Sequence, residues 1–240
     1  MIIHSEPRFS ILFGDKREGF IPRTFSDVTN GQELLKSSPF NWKKTGIDSL
    51  LFLHQTHSVQ GMYISTLGQA QSLKPFTSEG DYLINSLDHI GIGIATADCL
   101  PIILYDKTNH AAAIIHAGWR GSVNRVAPIA FERMQTLIGT STDNVRVFFG
   151  PSAKLCCYKV GPEVSQALEN FSFYQEVLYK HGPHLMFDLP LFNQLLLEQA
   201  GIAREAFNLA YNICTIHTNS FHSYRREHGL MRQSTIMVLR

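Results

Sequence analysis

The chain has almost no excess of charge of either sign, with 21 lysine and arginine residues against 20 aspartate and glutamate residues and a formal net charge of +1. Surfaces that bind nucleic acid are strongly basic, so this balance argues against a nucleic-acid partner. The sequence also lacks an apolar run of membrane-spanning length and, near Met1, the basic and apolar stretches of a signal peptide. We therefore expect a cytoplasmic monomer that acts on a small molecule and has no membrane partner.

Cysteine is scarce as well, with four residues, Cys99, Cys156, Cys157 and Cys214. Four cysteines allow two disulfides, but a chain of this length without an export signal has little need of them, so we expect free thiols. Neighbouring side chains of an extended segment point in opposite directions, so at most one of Cys156 and Cys157 is expected to face any one site. Packing of one of the two in the core is the simpler interpretation.

Internal repeats, low-complexity tracts and domain linkers are also absent from the sequence, and we expect one domain over residues 1–240. Apolar residues with helical spacing run from Val123 to Leu137, where Pro128 predicts either a kink or the first turn of the helix. Other patterns predict helices over Glu163–Lys180 and Pro190–Ala200, and strands over Asp81–Asn85, Ile92–Tyr105, Ala111–His116, Asn208–Thr215 and Ser234–Arg240. This irregular alternation predicts an α+β fold with mixed sheets.

What the sequence does contain is a set of three metal-ligating side chains. His57 lies in His54-Gln-Thr-His-Ser58, Cys99 ends Thr96-Ala-Asp-Cys99, and His116 begins His116-Ala-Gly-Trp-Arg-Gly121. Two imidazoles and one thiolate suit a single soft or borderline cation, with water in the fourth position, and a site with such an open position is usually catalytic. His54 is an alternative ligand only if its segment is helical; packing or exposure is the simpler interpretation.

The surroundings of two of these residues add to the prediction. Asp98 and Cys99 interrupt an apolar run near its middle, and buried polar residues need partners. In a regular strand the two side chains point to opposite faces, which makes Asp98 a structural hydrogen-bond acceptor, whereas a bulge would bring it to the substrate. His116 ends the next strand, and the glycine-rich turn after it leads into a helix whose free N–H groups could receive an anion.

Four sequence blocks, in this order, resemble those of the YfiH family, also called multicopper polyphenol oxidase or laccase-domain proteins. They are Thr96-Ala-Asp-Cys-Leu-Pro101, His116-Ala-Gly-Trp-Arg-Gly121, Gly150-Pro-Ser-Ala-Lys-Leu-Cys-Cys-Tyr-Lys-Val-Gly161 and Ser223-Tyr-Arg-Arg226. The resemblance runs from about His54 to the C-terminus. The first fifty residues keep little of the family's Thr-x-Arg-x-Gly-Gly and Asn-Leu-Gly words, and Phe221-His222 replaces its usual Phe-Phe.

This resemblance implies a four-layer α/β/β/α fold, in which two packed mixed sheets are flanked by helices. It also implies two activities: phosphorolysis of adenosine, inosine and methylthioadenosine, and hydrolytic deamination of adenosine. Some bacterial relatives are named peptidoglycan editing factors, so a nucleotide-linked wall precursor is an alternative substrate.

Three chemistries compete for the His57, Cys99 and His116 set. Two histidines and one cysteine also hold blue copper, but the sequence has no His-x-His pair of the kind that a trinuclear copper centre needs, so oxidase chemistry is disfavoured even if copper binds. A metal-free alternative makes Cys99 a nucleophile, although burial without a cation would silence the thiol. We favour zinc, which can activate water for attack on C6 of adenine.

Phosphorolysis requires, in addition, residues that bind phosphate. Arg120, beside the glycine-rich turn, and Arg225 or Arg226 are the candidates, because a guanidinium pairs bidentately with phosphate oxygens. For each, a structural ion pair is the alternative. The predicted catalytic residues are thus His57, Cys99, His116 and Arg120, and the predicted substrate-binding residues are Arg120, Arg225 and Asp98. Trp119 or Tyr158 could stack on a purine, although core packing is the simpler role.

Overall fold

The structure of the protein, a computed structural model, describes residues 1–25, 27–37 and 46–240. Its strands are β1 (Ile2–Glu6), β2 (Phe9–Phe13), β3 (Ser49–Phe52), β4 (Gly61–Ile64), β5 (Tyr82–Asn85), β6 (Ile90–Thr96), β7 (Leu100–Asp106), β8 (Ala111–Ala117), β9 (Val145–Phe149), β10 (Lys159–Val160), β11 (Leu178–His181), β12 (His184–Phe187), β13 (Phe207–Asn208) and β14 (Gln233–Leu239). Its α-helices are α1 (Gly31–Ser37), α2 (Leu67–Ser72), α3 (Trp119–Val123), α4 (Val126–Ile138), α5 (Pro162–Leu168), α6 (Tyr174–Val177), α7 (Leu189–Gln199) and α8 (Tyr224–Glu227). Each helix of the described ranges is too short or too polar to cross a membrane. The predicted single domain over 1–240 includes residues 26 and 38–45, which lie outside the described ones.

The strands form two large mixed sheets and one small sheet. The five-stranded sheet has the order β1-β2-β14-β6-β3, and the six-stranded sheet has the order β13-β9-β7-β8-β5-β4. Most neighbours are antiparallel, while β3 with β6, β4 with β5, and β13 with β9 are parallel. The third sheet, β10-β12-β11, is antiparallel. The predicted α+β class with two mixed sheets is confirmed.

The two large sheets pack face to face, and helices cover their outer faces. Ile92 and Met237 of the five-stranded sheet share one buried cluster with Ile103 and Phe148 of the six-stranded sheet. The opposite face of the six-stranded sheet packs against α4, α5 and α7, and that of the five-stranded sheet against α1. Every residue of β7 is buried, which explains its unbroken apolar sequence, since a strand covered on both faces has no solvent side.

The predicted strand Ile92–Tyr105 is wrong in one respect that matters for the site. The segment breaks at Ala97-Asp98-Cys99 into β6 and β7, and these strands belong to different sheets. Asp98 has a positive φ of 89°, a conformation that lets the chain turn sharply from one sheet to the other. Cys99 therefore lies half-buried at an edge between the two sheets rather than inside a strand.

Three other predictions need correction, and two are confirmed. The segment Glu163–Lys180 is not one helix, because it forms α5, α6 and β11, and β11 pairs with β12. Within Asn208–Thr215 only Asn208 belongs to a strand and Cys214 forms an isolated bridge with Ser152; the Asn208 side chain accepts a hydrogen bond from the Ala210 N–H, which closes a turn. The helix from Val123 is divided between α3 and α4, and Pro128 lies in the first turn of α4, where its missing N–H costs nothing. β14 and α7 agree within one residue with the predicted strand Ser234–Arg240 and the predicted helix Pro190–Ala200, and the Asp188 side chain caps the start of α7.

Candidate active site and metal centre

The structure brings the three predicted ligands together at the end of the two sheets. His57 follows β3, Cys99 lies between β6 and β7, and His116 belongs to β8. Their ligand atoms all lie within 4.8 Å of one another, and Cys99 Sγ is 3.7 Å from His57 Nε2. His116 is 3% exposed, whereas His57 is on the surface, so the set is closed on one side and open on the other. Such a set can hold a metal ion that keeps an exchangeable position.

Asp81 organises this set, and its role was missed in the sequence. Its carboxylate accepts hydrogen bonds from His116 Nδ1 at 2.7 Å, from the backbone N–H of His57 at 3.0 Å, and from the N–H and hydroxyl of Ser58 at 2.6 and 2.7 Å. Burial alone raises the pKa of Asp81, but the hydrogen bond and charge of His116 outweigh it and lower the pKa to about 2. A carboxylate that takes Nδ1–H leaves Nε2 as the ligand atom. The only signal in the sequence was an acidic residue at the head of an apolar strand.

The pKa values of Cys99 and His116 are shifted toward a thiolate and an imidazolium, because each group favours the charged form of the other. Burial raises the pKa of the Cys99 thiol, but the charge and hydrogen bond of His116, followed by those of His57, lower it to about 6. Burial lowers the pKa of His116, yet Cys99 and Asp81 raise it to about 9. The prediction that Cys99 lacks a neighbouring cation is therefore wrong, because His116 supplies one. At neutral pH this arrangement favours a thiolate, which is the form that binds metals.

Gly118 leaves the space that the metal ligands occupy. A Cβ at this position would lie 2.8 Å from His57 Cδ2 and 2.9 Å from Cys99 Sγ, closer than carbon and sulfur atoms normally approach. The φ of Gly118 is −75°, which any residue adopts, so the requirement for glycine is steric rather than conformational.

Arg120 lies on α3 at the rim of the site. Its guanidinium stacks on the Trp119 ring at 4.4 Å and is exposed. In the part of the chain that the structure describes, Arg120 has no ion-pair partner, unlike Arg204 or Arg146, which pair with glutamates. The predicted alternative of a structural ion pair therefore does not apply to it. The helix that follows the glycine-rich turn is only five residues long, because the chain breaks again before α4.

The two arginines of the C-terminal block differ in their contacts. Arg225 is exposed, its guanidinium lies 5.4 Å from the Tyr158 ring centroid, and its Nη1 donates to the Lys159 carbonyl at 2.9 Å. Arg226 is half-buried and donates to three backbone carbonyls within 2.9 Å, those of Thr215, Ile216 and Phe221. Arg226 thus holds its own loop together, while Arg225 faces the site beside Tyr158.

Asp98 joins the turn between the sheets to the Ser-Tyr-Arg-Arg block. Its Oδ1 accepts from the Thr215 hydroxyl at 2.7 Å, and its Oδ2 accepts from the Ser223 hydroxyl at 3.0 Å and from the Arg225 N–H at 2.7 Å. Both carboxylate oxygens are directed at protein donors, which agrees with the structural interpretation of Asp98. It connects Cys99, its neighbour in the chain, with Arg225.

Of the two candidate stacking residues, Trp119 lies beneath Arg120 and Tyr158 is buried against Phe187. Burial, reinforced by the negative charge of Cys99, raises the pKa of Tyr158, and both Arg225 and Arg120 act on it in the opposite direction. Tyr158 therefore keeps its proton, and its side chain lies close enough to Cys99, Arg225 and Arg120 for their charges to act on it. His54 is exposed and is not part of the three-residue set.

Comparison with known proteins identifies a family and several relatives. Residues 30–240 match the family described as multi-copper polyphenol oxidoreductase laccase. A purine nucleoside phosphorylase of Bacteroides thetaiotaomicron is 33% identical over 190 residues, covering 75% of this chain and 68% of that protein. Adenosine deaminase RL5, from an unknown prokaryotic organism, is 32% identical over 188 residues, covering 75% and 71% of the two chains.

The fold is also found among solved structures. The crystal structure of the hypothetical protein YfiH of Bacillus licheniformis superposes with a TM-score of 0.77 at 21% identity, over 97% of this chain and 93% of that one. The match to the family extends over more than four-fifths of the chain and includes His57, Cys99 and His116. This chain therefore belongs to the laccase-like YfiH family.

Proposed function

We propose that the chain is a zinc-dependent purine nucleoside phosphorylase that cleaves adenosine, inosine and methylthioadenosine and also deaminates adenosine. The observation that carries this proposal is the position of an unpaired guanidinium, that of Arg120, at the rim of the open His57, Cys99 and His116 set. The family relatives named purine nucleoside phosphorylase and adenosine deaminase support the same assignment.

The donor set fits zinc. Two imidazole nitrogens and a thiolate are preferred zinc ligands, and the hydrogen bond from His116 Nδ1 to Asp81 directs its other nitrogen at the Cys99 side of the site. When bound, zinc supplies a Lewis acid that activates water at neutral pH, which is the chemistry that deamination at C6 of adenine requires. The exposed side of His57 is the side from which substrate enters.

Arg120 and Arg225 are proposed to bind the phosphate. In phosphorolysis a phosphate oxygen forms a bond to C1′ of the ribose while the bond from C1′ to the purine nitrogen breaks. The base leaves with the electron pair of that bond and takes up a proton, and the second product is ribose 1-phosphate. Two guanidinium groups balance the charge of the phosphate and orient its oxygen, and such charge-assisted contacts are the strongest that proteins use for anions.

Asp98 acts in this proposal by positioning. Because its Oδ2 accepts the backbone N–H of Arg225 at 2.7 Å, it sets the start of α8 relative to Cys99. Deamination uses water in place of phosphate and releases ammonia, so it needs neither arginine for its nucleophile. The two reactions thus share the metal ligands and differ in their need for Arg120 and Arg225.

The test is a substrate panel with the zinc-loaded protein. Adenosine, inosine, methylthioadenosine and a nucleotide-linked wall precursor are incubated with and without phosphate, and the products are separated by chromatography. We expect adenine only when phosphate is present, and inosine with ammonia in either case. Consumption of the wall precursor with all nucleosides left intact would overturn the proposal in favour of an editing function.

Copper is a second candidate, because a set of two histidines and one cysteine is also a copper site and the family description includes polyphenol oxidoreductase. Oxygen uptake with a phenol is therefore measured for zinc-loaded and copper-loaded protein. We expect slow uptake that depends on added copper. Rapid uptake by the zinc-loaded protein, or a copper-loaded rate above that of phosphorolysis, would reverse the order of the two functions.

A further inference from the structure

A second group of metal-ligating side chains lies outside the set already described. The sulfur atoms of Cys156, Cys157 and Cys214 are all within 4.8 Å of one another, and none of these residues is in a disulfide. Cys214 is buried, Cys157 is half-buried, and Cys156 is exposed. We call these three residues the thiol cluster. One side of it is enclosed by protein and the other reaches the surface.

The expectation that Cys156 and Cys157 face different sites is wrong. It assumes an extended segment, but Leu155, Cys156 and Cys157 form a turn that is closed by hydrogen bonds from the N–H groups of Cys157 and Tyr158 to the Lys154 carbonyl, each 2.9 Å long. In a turn, adjacent side chains can project to the same side. Both sulfurs therefore reach Cys214, which is 57 residues further along the chain than Cys157.

The surroundings of Cys214 suit a thiolate. Burial raises the pKa of the Cys214 thiol, but the nearby backbone N–H groups of His217, Lys154 and Ile216 outweigh it and lower the pKa. Two of these donors follow the cysteine by two and three positions, a local turn in which the backbone supplies N–H groups to a sulfur that carries charge. A buried thiol that packs only as a small apolar residue has no use for several such donors. The donors offset the charge of a metal-bound thiolate.

We propose that Cys156, Cys157 and Cys214 form a second metal site, which binds one zinc ion through three thiolates and leaves the fourth position open to solvent beside Cys156. Three thiolates on a tetrahedral zinc with Zn–S bonds of about 2.3 Å lie about 3.8 Å apart, which the thiol cluster can adopt. A disulfide would join only two of the three sulfurs and leave the third without a role. Zinc uses all three.

This metal would hold together two segments that border the candidate active site. Ser152 already joins the two segments through two backbone hydrogen bonds: its N–H donates to the Ile213 carbonyl and its carbonyl accepts from the Thr215 N–H, each at 3.0 Å. Tyr158 follows Cys157 directly, and Thr215, which follows Cys214, donates its hydroxyl to Asp98. Occupancy of the thiol cluster therefore positions Asp98 and, through it, Arg225. We assign this zinc a positioning role despite its open fourth position, because its ligands are none of the residues that the proposed function places at the substrate.

The experiment counts zinc in the full-length protein and in matched variants after purification with zinc and a reductant. We expect about two zinc ions per wild-type chain, and about one in each of Cys99→Ala, Cys214→Ser and Cys156→Ser/Cys157→Ser. Because Cys156 is exposed, its substitution leaves the core intact, and far-ultraviolet circular dichroism confirms folding of each variant. Only Cys99→Ala should lose zinc from the first site, so failure of the proposed function and failure of this proposal are distinguishable.

Cobalt(II) substitution provides a readout independent of activity. Absorbance from thiolate-to-cobalt charge transfer scales with the number of thiolate ligands. Cys99→Ala should therefore retain about three-quarters of the wild-type intensity. The triple variant Cys156→Ser/Cys157→Ser/Cys214→Ser should retain about one-quarter. A wild-type chain that binds a single zinc ion, lost entirely in Cys99→Ala, would overturn the proposal. So would a disulfide between two of the three cysteines in the zinc-treated protein, detected by peptide mapping.

Discussion

Asp81 and His116 form a buried pair, with Asp81 Oδ1 2.7 Å from His116 Nδ1 and both side chains almost completely removed from solvent. The same carboxylate also receives the backbone N–H of His57, so one residue orients two of the three proposed metal ligands. Replacement of Asp81 should therefore weaken metal binding itself, and any loss of activity should follow from that weakening.

Replacement of Asp81 by asparagine should weaken zinc binding at the first site by about tenfold to a hundredfold, the range found when the partner of a metal-bound histidine is removed. An amide cannot accept from all of the donors that now converge on the carboxylate. The measurement is a zinc titration in competition with a chromophoric chelator. Asp88→Asn is the matched control, because Asp88 pairs with a different histidine, His110, on the surface. Equal affinities in wild type and Asp81→Asn would contradict this role.

Alkylation of Cys99 in the zinc-free protein should follow a thiol pKa of about 6, to which His116 and His57 lower it against the effect of burial. Since only the thiolate reacts, the rate should be nearly constant above pH 7 and fall about tenfold for each pH unit below 6. Iodoacetamide labelling with peptide mass spectrometry measures it. Cys156, whose pKa burial raises to about 12, is the internal comparison. Bound zinc should protect Cys99 from alkylation. If the alkylation rate instead had its midpoint at the ordinary thiol pKa of about 8.5, the pair with His116 would not form.

Arg120→Ala should slow phosphorolysis more than deamination. A guanidinium that binds phosphate helps phosphate to attack, but it does not help the water that attacks in deamination. Loss of such a contact costs roughly 1.5 to 3 kcal/mol, about tenfold to a hundredfold in the phosphate-dependent rate. Both rates are measured on one preparation at saturating adenosine with phosphate varied. Arg204→Ala, which removes a surface arginine paired with Glu198, is the control. Equal losses in both reactions would assign Arg120 to the nucleoside and leave Arg225 to bind phosphate.

Gly118→Ala should abolish zinc binding at the first site, since the added methyl group would lie 2.9 Å from Cys99 Sγ and 2.8 Å from His57 Cδ2. Overpacking of this kind typically costs about 1 to 3 kcal/mol, so the variant should still fold while its ligands are displaced. Zinc content and thermal unfolding are measured together. The control is Gly68→Ala, where the nearest atom to the new Cβ is 4.0 Å away. Full zinc content in Gly118→Ala would contradict this prediction, because the ligands would then make room for the methyl group and still bind zinc.

Several features could be predicted from residue types and short-range pattern. The apolar run of Ala111–His116 predicts a buried strand, and His57, Cys99 and His116 are recognisable as candidate ligands because their side-chain chemistry is a property of the residues themselves. The helix beginning after Asp188 follows from a local capping preference. Such inferences succeed where the physical cause of a feature lies in residues that are close together in the chain.

Sequence by itself determined the ligand types, the apolar strands and the family resemblance, because each depends on residues close together in the chain. Only the tertiary structure decided that β6 and β7 enter different sheets, that Asp81 pairs with His116 thirty-five positions away, and that Cys157 lies beside Cys214. The cause is long-range packing: the two sheets bury apolar side chains against each other, and the turn at Asp98, where the chain passes from one sheet to the other, sets which polar groups meet.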